Sequence, residues 1–257
     1  MLIDVHAHCW GSPEKEDDPW SQDKLFVEAM DALGIDIAVV SNLGTPRPAT
    51  VEGFRKCNRD MLAALKEFRG RFWGYAYVNS GYSKEALAEI EYCLEADEDC
   101  IGVKLYNEYQ ISDPAVRPVI EKCIELDVPI LQHAGHSLVN TEAQPNITDS
   151  AHAAALGRLY PEAKVIVAHL GGGGDWEWEI KALRDTSPNI GADTSGSVTD
   201  EGLLEYAIEI LGADRLYFAC DMSVTAGVGK FMSAKMSDED RNKIASENFL
   251  QLVGREV

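Results

Sequence analysis

The sequence predicts an α/β protein folded as a single (β/α)8 TIM barrel over residues 1–257, and three observations predict it. Short runs rich in Val, Ile, Leu and aromatic residues recur eight times along the chain. Segments with helical periodicity or helix-former composition separate them, a pattern that calls for βαβ units and a parallel sheet. The length of 257 residues matches a compact eightfold barrel of about 250 residues. A doubly wound open sheet has fewer strands, and neither GxGxxG nor GxxxxGK[ST] follows any run here; GGGG at 171–174 has neither spacing.

In order, the predicted strands are LIDVH (2–6), IDIAVVSN (35–42), RFWGYAYVN (71–79), CIGVKLY (100–106), PILQHAG (129–135), KVIVAHLGG (164–172), NIGADTS (189–195) and RLYFACD (215–221). The helical segments between them are 23–34, 52–68, 83–96, 115–127, 150–162, 175–185 and 201–212. A last helix spans 237–254, opened by Ser237 with Asp240 in capping-box spacing and carrying the apolar row Ala245, Phe249, Val253. The stretch 222–236 reads as a short loop.

Charge and composition narrow the partners. A net charge of −20, with no basic tract longer than a pair, repels phosphate backbones and anionic membranes. The expected partner is a small-molecule substrate, with no nucleic acid and no membrane; a homodimer is compatible. Six cysteines without CxxC spacing, no signal peptide and no apolar run of about 18 residues read as a cytoplasmic protein with reduced thiols.

The six histidines are 6, 8, 133, 136, 152 and 169. Regular alternation would put Leu2, Asp4, His6 and His8 on one face of the first strand, and Ile3, Val5 and Ala7 on the other. His6 and His8 end that strand, His133 ends the fifth, His169 the sixth, and Asp221 the eighth. In an eightfold barrel these ends converge on the active-site face. Five metal-capable side chains would meet there, so a metal site is expected. Imidazoles and a carboxylate without thiolates suit one divalent ion, zinc first, with manganese, iron or cobalt as alternatives. Tyr106 and Asn107 follow strand four, within reach of a substrate. His136 is expected to support His133, His152 to be structural, and Trp176 and Trp178 to pack helix against barrel.

The motifs DVHAH, GVKLY, PILQHAG, VIVAHLGG and FACD, in this strand order, resemble the amidohydrolase superfamily, closest to its amidohydrolase-2 branch. The closing SDEDRNKIASENFLQLVG resembles that branch's terminal helix, with Asn248 at its habitual asparagine. The resemblance spans essentially the whole chain. It implies a slightly distorted barrel whose metal is held by His6, His8, His133 and Asp221, with His169 beside the substrate. Lys104 stands where binuclear members carry a carboxylated lysine; a second metal is implied only in that state. Otherwise Lys104 contacts an anionic substrate group or is structural. The chain departs from the branch in reading ACD rather than GSD before Asp221 and in its short loops.

The activity so implied is hydrolysis at a carbonyl centre of an amide, lactone or cyclic amide. A metal lowers the pKa of its water towards ~7, Asp221 moves the proton, and His169 stabilises the oxyanion. An alternative with the same side chains is non-oxidative decarboxylation of a small aromatic or unsaturated acid. It is weakened in this reading because decarboxylases of the branch tend to be longer chains. A second alternative is a non-catalytic ligand-binding barrel with a structural metal. A phosphoesterase is disfavoured, since those enzymes carry a glutamate on strand four or further HG and HxH motifs.

Overall fold

All eight apolar runs carry strands: β1 (Ile3–His8), β2 (Ile37–Ser41), β3 (Phe72–Tyr77), β4 (Cys100–Leu105), β5 (Ile130–Gln132), β6 (Val165–Val167), β7 (Ile190–Asp193) and β8 (Leu216–Tyr217). The computed structural model describes residues 1–135, 144–170, 175–196 and 198–255. The strands pair in parallel in sequence order. Val5 N donates to Phe218 O at 3.0 Å and Asp221 N to His6 O at 2.8 Å, which brings the eighth strand round to the first. The result is the (β/α)8 barrel.

Helices α1 (Ser21–Leu33), α2 (Val51–Glu67), α3 (Ser83–Ala96), α4 (Arg117–Glu125), α5 (Ser150–Leu159), α6 (Trp176–Leu183) and α7 (Leu203–Leu211) fill the crossovers. Local chemistry starts several of them. Thr50 caps α2 by accepting from Gly53 N, and Asp149 with His152 forms a reciprocal capping box on α5. His152 is therefore structural.

Two apolar layers hold the barrel. Side chains such as Val40, Val103, Val165 and Ile190 pack outward against the helices. Ile3, Val5, Val39, Tyr75, Leu131, Ile166 and Tyr217 form a separate inner cluster closed by Phe249 and Leu250. Gly191 makes room there, because a Cβ would fall 2.6 Å from the Tyr217 ring.

Strand β1 departs from simple alternation. Its register against β2 shifts between Asp4 and Ala7. Ile3 and Val5 join the inner cluster while Ala7 faces the helices. This bulge reverses the phase, so the apolar pair and the two histidines beyond it all serve the barrel interior.

Residues 222–236 are not merely a loop: they hold α8 (Val224–Ser233). Two glycines and β-branched residues give this segment weak intrinsic helix preference. Tertiary packing overrides it, with Phe231 buried on Phe218 and Gly227 so close to Cys220 that a Cβ would lie 2.7 Å from its sulfur. The final helix is α9 (Asp238–Asn242) and α10 (Asn248–Val253) joined by a π-helical stretch, Lys243–Glu247. Ser237 caps it as expected. Asn248 donates to the carbonyls of Ala213 and Leu216 at 2.8 and 2.9 Å, tying this helix to the entry of β8. All six cysteines are free and buried. No described helix is long and apolar enough to cross a membrane.

Candidate metal centre and active site

The strand ends bring His6, His8, His169 and Asp221 together at the C-terminal mouth of the barrel. His6 is buried, with Nδ1 2.9 Å from Asp193 Oδ2 and Nε2 3.5 Å from Asp221 Oδ1. A carboxylate only accepts, so the His6 proton sits on Nδ1 and its Nε2 is an unprotonated acceptor. His8 Nε2 lies 3.0 Å from the same Asp221 oxygen, while its Nδ1 lies 3.2 Å from both oxygens of Ser41. One ligand atom each from His6, His8 and Asp221 lies within 4.8 Å of the others. Two imidazoles and a carboxylate at that spacing fit a divalent ion of the zinc, manganese or iron kind.

Electrostatics prepare these groups. Burial, then the charge of Lys104, pushes the His6 pKa down to about 3, so the imidazole is neutral at pH 7. Burial opposes charge on Asp221, but the hydrogen bond with His8 and the fields of His6 and His169 outweigh it and hold its carboxyl well below the usual range. Strain accompanies this placement: His169 and Asp221 adopt φ of 66° and 45°, a region non-glycine residues visit at local cost.

His133 stands beside this set. Its Nδ1 meets His169 Nε2 at 3.1 Å, and its ring stacks on Tyr106 with centroids 4.2 Å apart. The Arg47 guanidinium covers the other face of the stack, 3.5 Å from the Tyr106 centroid. A cavity of about 260 Å³ opens here, walled by Trp10, Leu43, Arg47 and Tyr106 above His8, His133 and Asp221. Asn107 borders a neighbouring cavity of about 610 Å³ that shares Arg47.

Lys104 lies beneath the histidines. It is fully buried, does not line the smaller cavity, and places Nζ 2.8 Å from His6 Nε2. Burial pushes its pKa down to about 8.

Three residues of the site were not singled out in the sequence. Asp193 ends β7 as Asp221 follows β8, so the strand-end criterion applied there too. Ser195, two residues on, is near-invisible in sequence, as is Arg47 in the loop after β2. Cys9 and Cys220 adjoin the site, yet both are buried and burial pushes their thiols far up, which excludes a nucleophilic role. Trp176 packs on Tyr206 and donates to Asp200. His136 and the glycines at 171–174 lie outside the described residues.

A (β/α)8 barrel with imidazoles and a carboxylate gathered at its C-terminal mouth defines a class, the metal-dependent barrel enzymes. Within that class the chain belongs to the amidohydrolase family Amidohydro_2, whose model matches residues 3–255. No curated protein matches the chain. Its fold is shared with a 2,6-dihydroxybenzoate decarboxylase from Rhizobium (TM-score 0.75, 19% identity, 99% of each chain). It is shared also with a dihydroxybenzoic acid decarboxylase from a Polaromonas species, with bound manganese and the inhibitor 2-nitroresorcinol (TM-score 0.77, 19% identity, 98% of this chain and 96% of that one). A 4-oxalomesaconate hydratase from Rhodopseudomonas palustris is similar as well (TM-score 0.74, 18% identity, 99% of this chain and 96% of that one).

Proposed function

We propose that the protein is a metal-dependent, non-oxidative decarboxylase of a small aromatic or unsaturated carboxylic acid. The observation that carries this reading is the convergence of His6, His8 and Asp221 on one point beneath a small cavity walled by Trp10, Tyr106 and Arg47. Hydrolysis, the first expectation from the sequence, would use the same side chains; the decarboxylases among the structural neighbours tilt the choice. A small cavity bordered by Trp10 and the edge of Tyr106, with the cationic Arg47 in its wall, suits a flat aromatic acid better than a bulky amide.

His6, His8 and Asp221 would hold the ion, with His133 as a further donor. When bound, a divalent ion supplies positive charge that fixes anionic oxygens of the substrate. The rest falls to the chain. Breaking the bond to the carboxylate leaves its electron pair on carbon and releases carbon dioxide; carbon takes up one proton that comes from solvent and is handed on by Asp221, whose resting form is the carboxylate. Each turnover consumes one proton. His169 Nε2, 3.7 Å from Asp221 Oδ2 and 3.1 Å from His133 Nδ1, supports a relay role for His169: Nε2 takes up a proton and passes it on.

The test is to load purified protein with manganese or zinc and offer carboxyl-labelled dihydroxybenzoates, lactones and cyclic amides. Labelled carbon dioxide is expected from at least one acid, and none from Asp221→Asn. Opening of a lactone or cyclic amide without carbon dioxide from any acid would return the assignment to hydrolysis.

A further inference from the structure

One buried carboxylate serves two imidazoles of the mouth. Asp193 Oδ2 accepts from His6 Nδ1 at 2.9 Å. Its other oxygen, Oδ1, accepts from the backbone of His169 at 2.8 Å, from Ser195 N at 2.9 Å and from Ser195 Oγ at 2.6 Å. With the Ser195 hydroxyl proton committed to a carboxylate, its oxygen acts as acceptor towards His169 Nδ1, 2.9 Å away. The His169 proton therefore sits on Nδ1. Its bare Nε2 then receives the Nδ1–H of His133 at 3.1 Å.

We propose that Asp193 is a shared positioning residue: it sets the tautomer of His6 directly and that of His169 through Ser195, so that both present Nε2 to the reaction centre. The inference rests on the proposed function only for its kinetic consequence. Asp193 and Ser195 touch no reacting atom. The Asp193 branch to His6 supports metal affinity, as outer carboxylates do for ligating histidines. The Ser195 branch to His169 supports proton return. Removing Ser195 cuts the His169 branch and leaves the 2.9 Å bond from His6 Nδ1 to Asp193, with only the longer 3.4 Å contact of Ser195 Oγ to His6 Nδ1 lost. Removing the Asp193 charge cuts both.

Imidazole nitrogen NMR on zinc-loaded protein reads these tautomers without any substrate. Only six histidines are present, and His169→Gln identifies the resonance of interest. In the wild type, His169 is expected with its proton on Nδ1. In Ser195→Ala that signal moves towards the Nε2–H form or a mixture while His6 holds. Zinc affinity in this variant stays near wild type, and kcat falls with KM little changed. Asp193→Asn should disturb both rings and weaken zinc by about 10–100-fold. A His169 tautomer unmoved by Ser195→Ala, or equal loss of zinc in both variants, overturns the proposal. Because the NMR and zinc readouts need no turnover, they decide it even if no carbon dioxide is ever released.

Discussion

The lower and upper halves of the barrel interior are built by the same strands and obey different rules. Below, Ile3, Val5, Leu131, Ile166 and Tyr217 close on Phe249 by contact alone. Above, His6, Lys104, Asp193 and Asp221 are placed by donor–acceptor matching. The apolar layer tolerates any well-packed substitute of similar volume. The polar layer does not, because each buried donor needs its own acceptor and an unpaired one costs about 1–3 kcal/mol. Stability should thus reside below and chemistry above.

The sharpest way to break this comparison is Asp221→Asn. Asparagine tolerates the positive φ at this position and keeps an acceptor towards His8, so the fall in the urea midpoint should stay smaller than that of a core truncation while decarboxylation falls about 10²–10⁴-fold. A large loss of stability instead would mean that the mouth also carries the fold. Phe249→Ala is the mirror image. Truncating this buried plug should cost about 3–5 kcal/mol in urea unfolding, with metal stoichiometry of the folded protein unchanged. Loss of metal at a temperature where the variant is still folded would show the two layers to be coupled.

A smaller effect is expected at Asn248, whose amide holds two carbonyls near β8. Asn248→Ala should cost about 1–3 kcal/mol by leaving them without that donor, again sparing the site. The smallest effect lies at the lower rim. Arg69 grips Asp97 at 2.7 Å, and these hydrogen bonds hold the Asp97 carboxyl below its ordinary 3.8. A carboxyl depressed in the folded state contributes stability above its unfolded pKa and loses it as pH falls through the folded value. Arg69 is half exposed, so Arg69→Met should cost only about 1 kcal/mol or less at pH 7. The gap from wild type should close once the pH drops below the carboxylate range; a gap equally wide at pH 3 and pH 7 would assign the effect to packing.

How much of this was legible depended on range. The eight apolar runs were read correctly because period and composition are local. His6, His8, His169 and Asp221 were legible because strand ends of a barrel must converge. Residues 222–236 were misread as loop because their helix is held by Cys220 and Phe218, not by its own propensity. Lys104 was recognised by its motif, but its contact with His6, 98 positions away, depends on closing the barrel. Ser195 gave no signal at all, since its role arises only where Asp193 and His169 meet.

By itself, the sequence determined the barrel, its order of strands and helices, and the identity of the side chains at the mouth, because hydrophobic periodicity and strand ends are properties of neighbouring residues. Tertiary structure decided the rest. The register shift in β1 turns both histidines inward beside Ile3 and Val5. Closure buries Lys104 against His6 and sets Asp193 between two imidazoles. Which nitrogen carries a proton follows from partners up to 187 positions apart, and a hydrogen bond has no direction until both of its ends are in place.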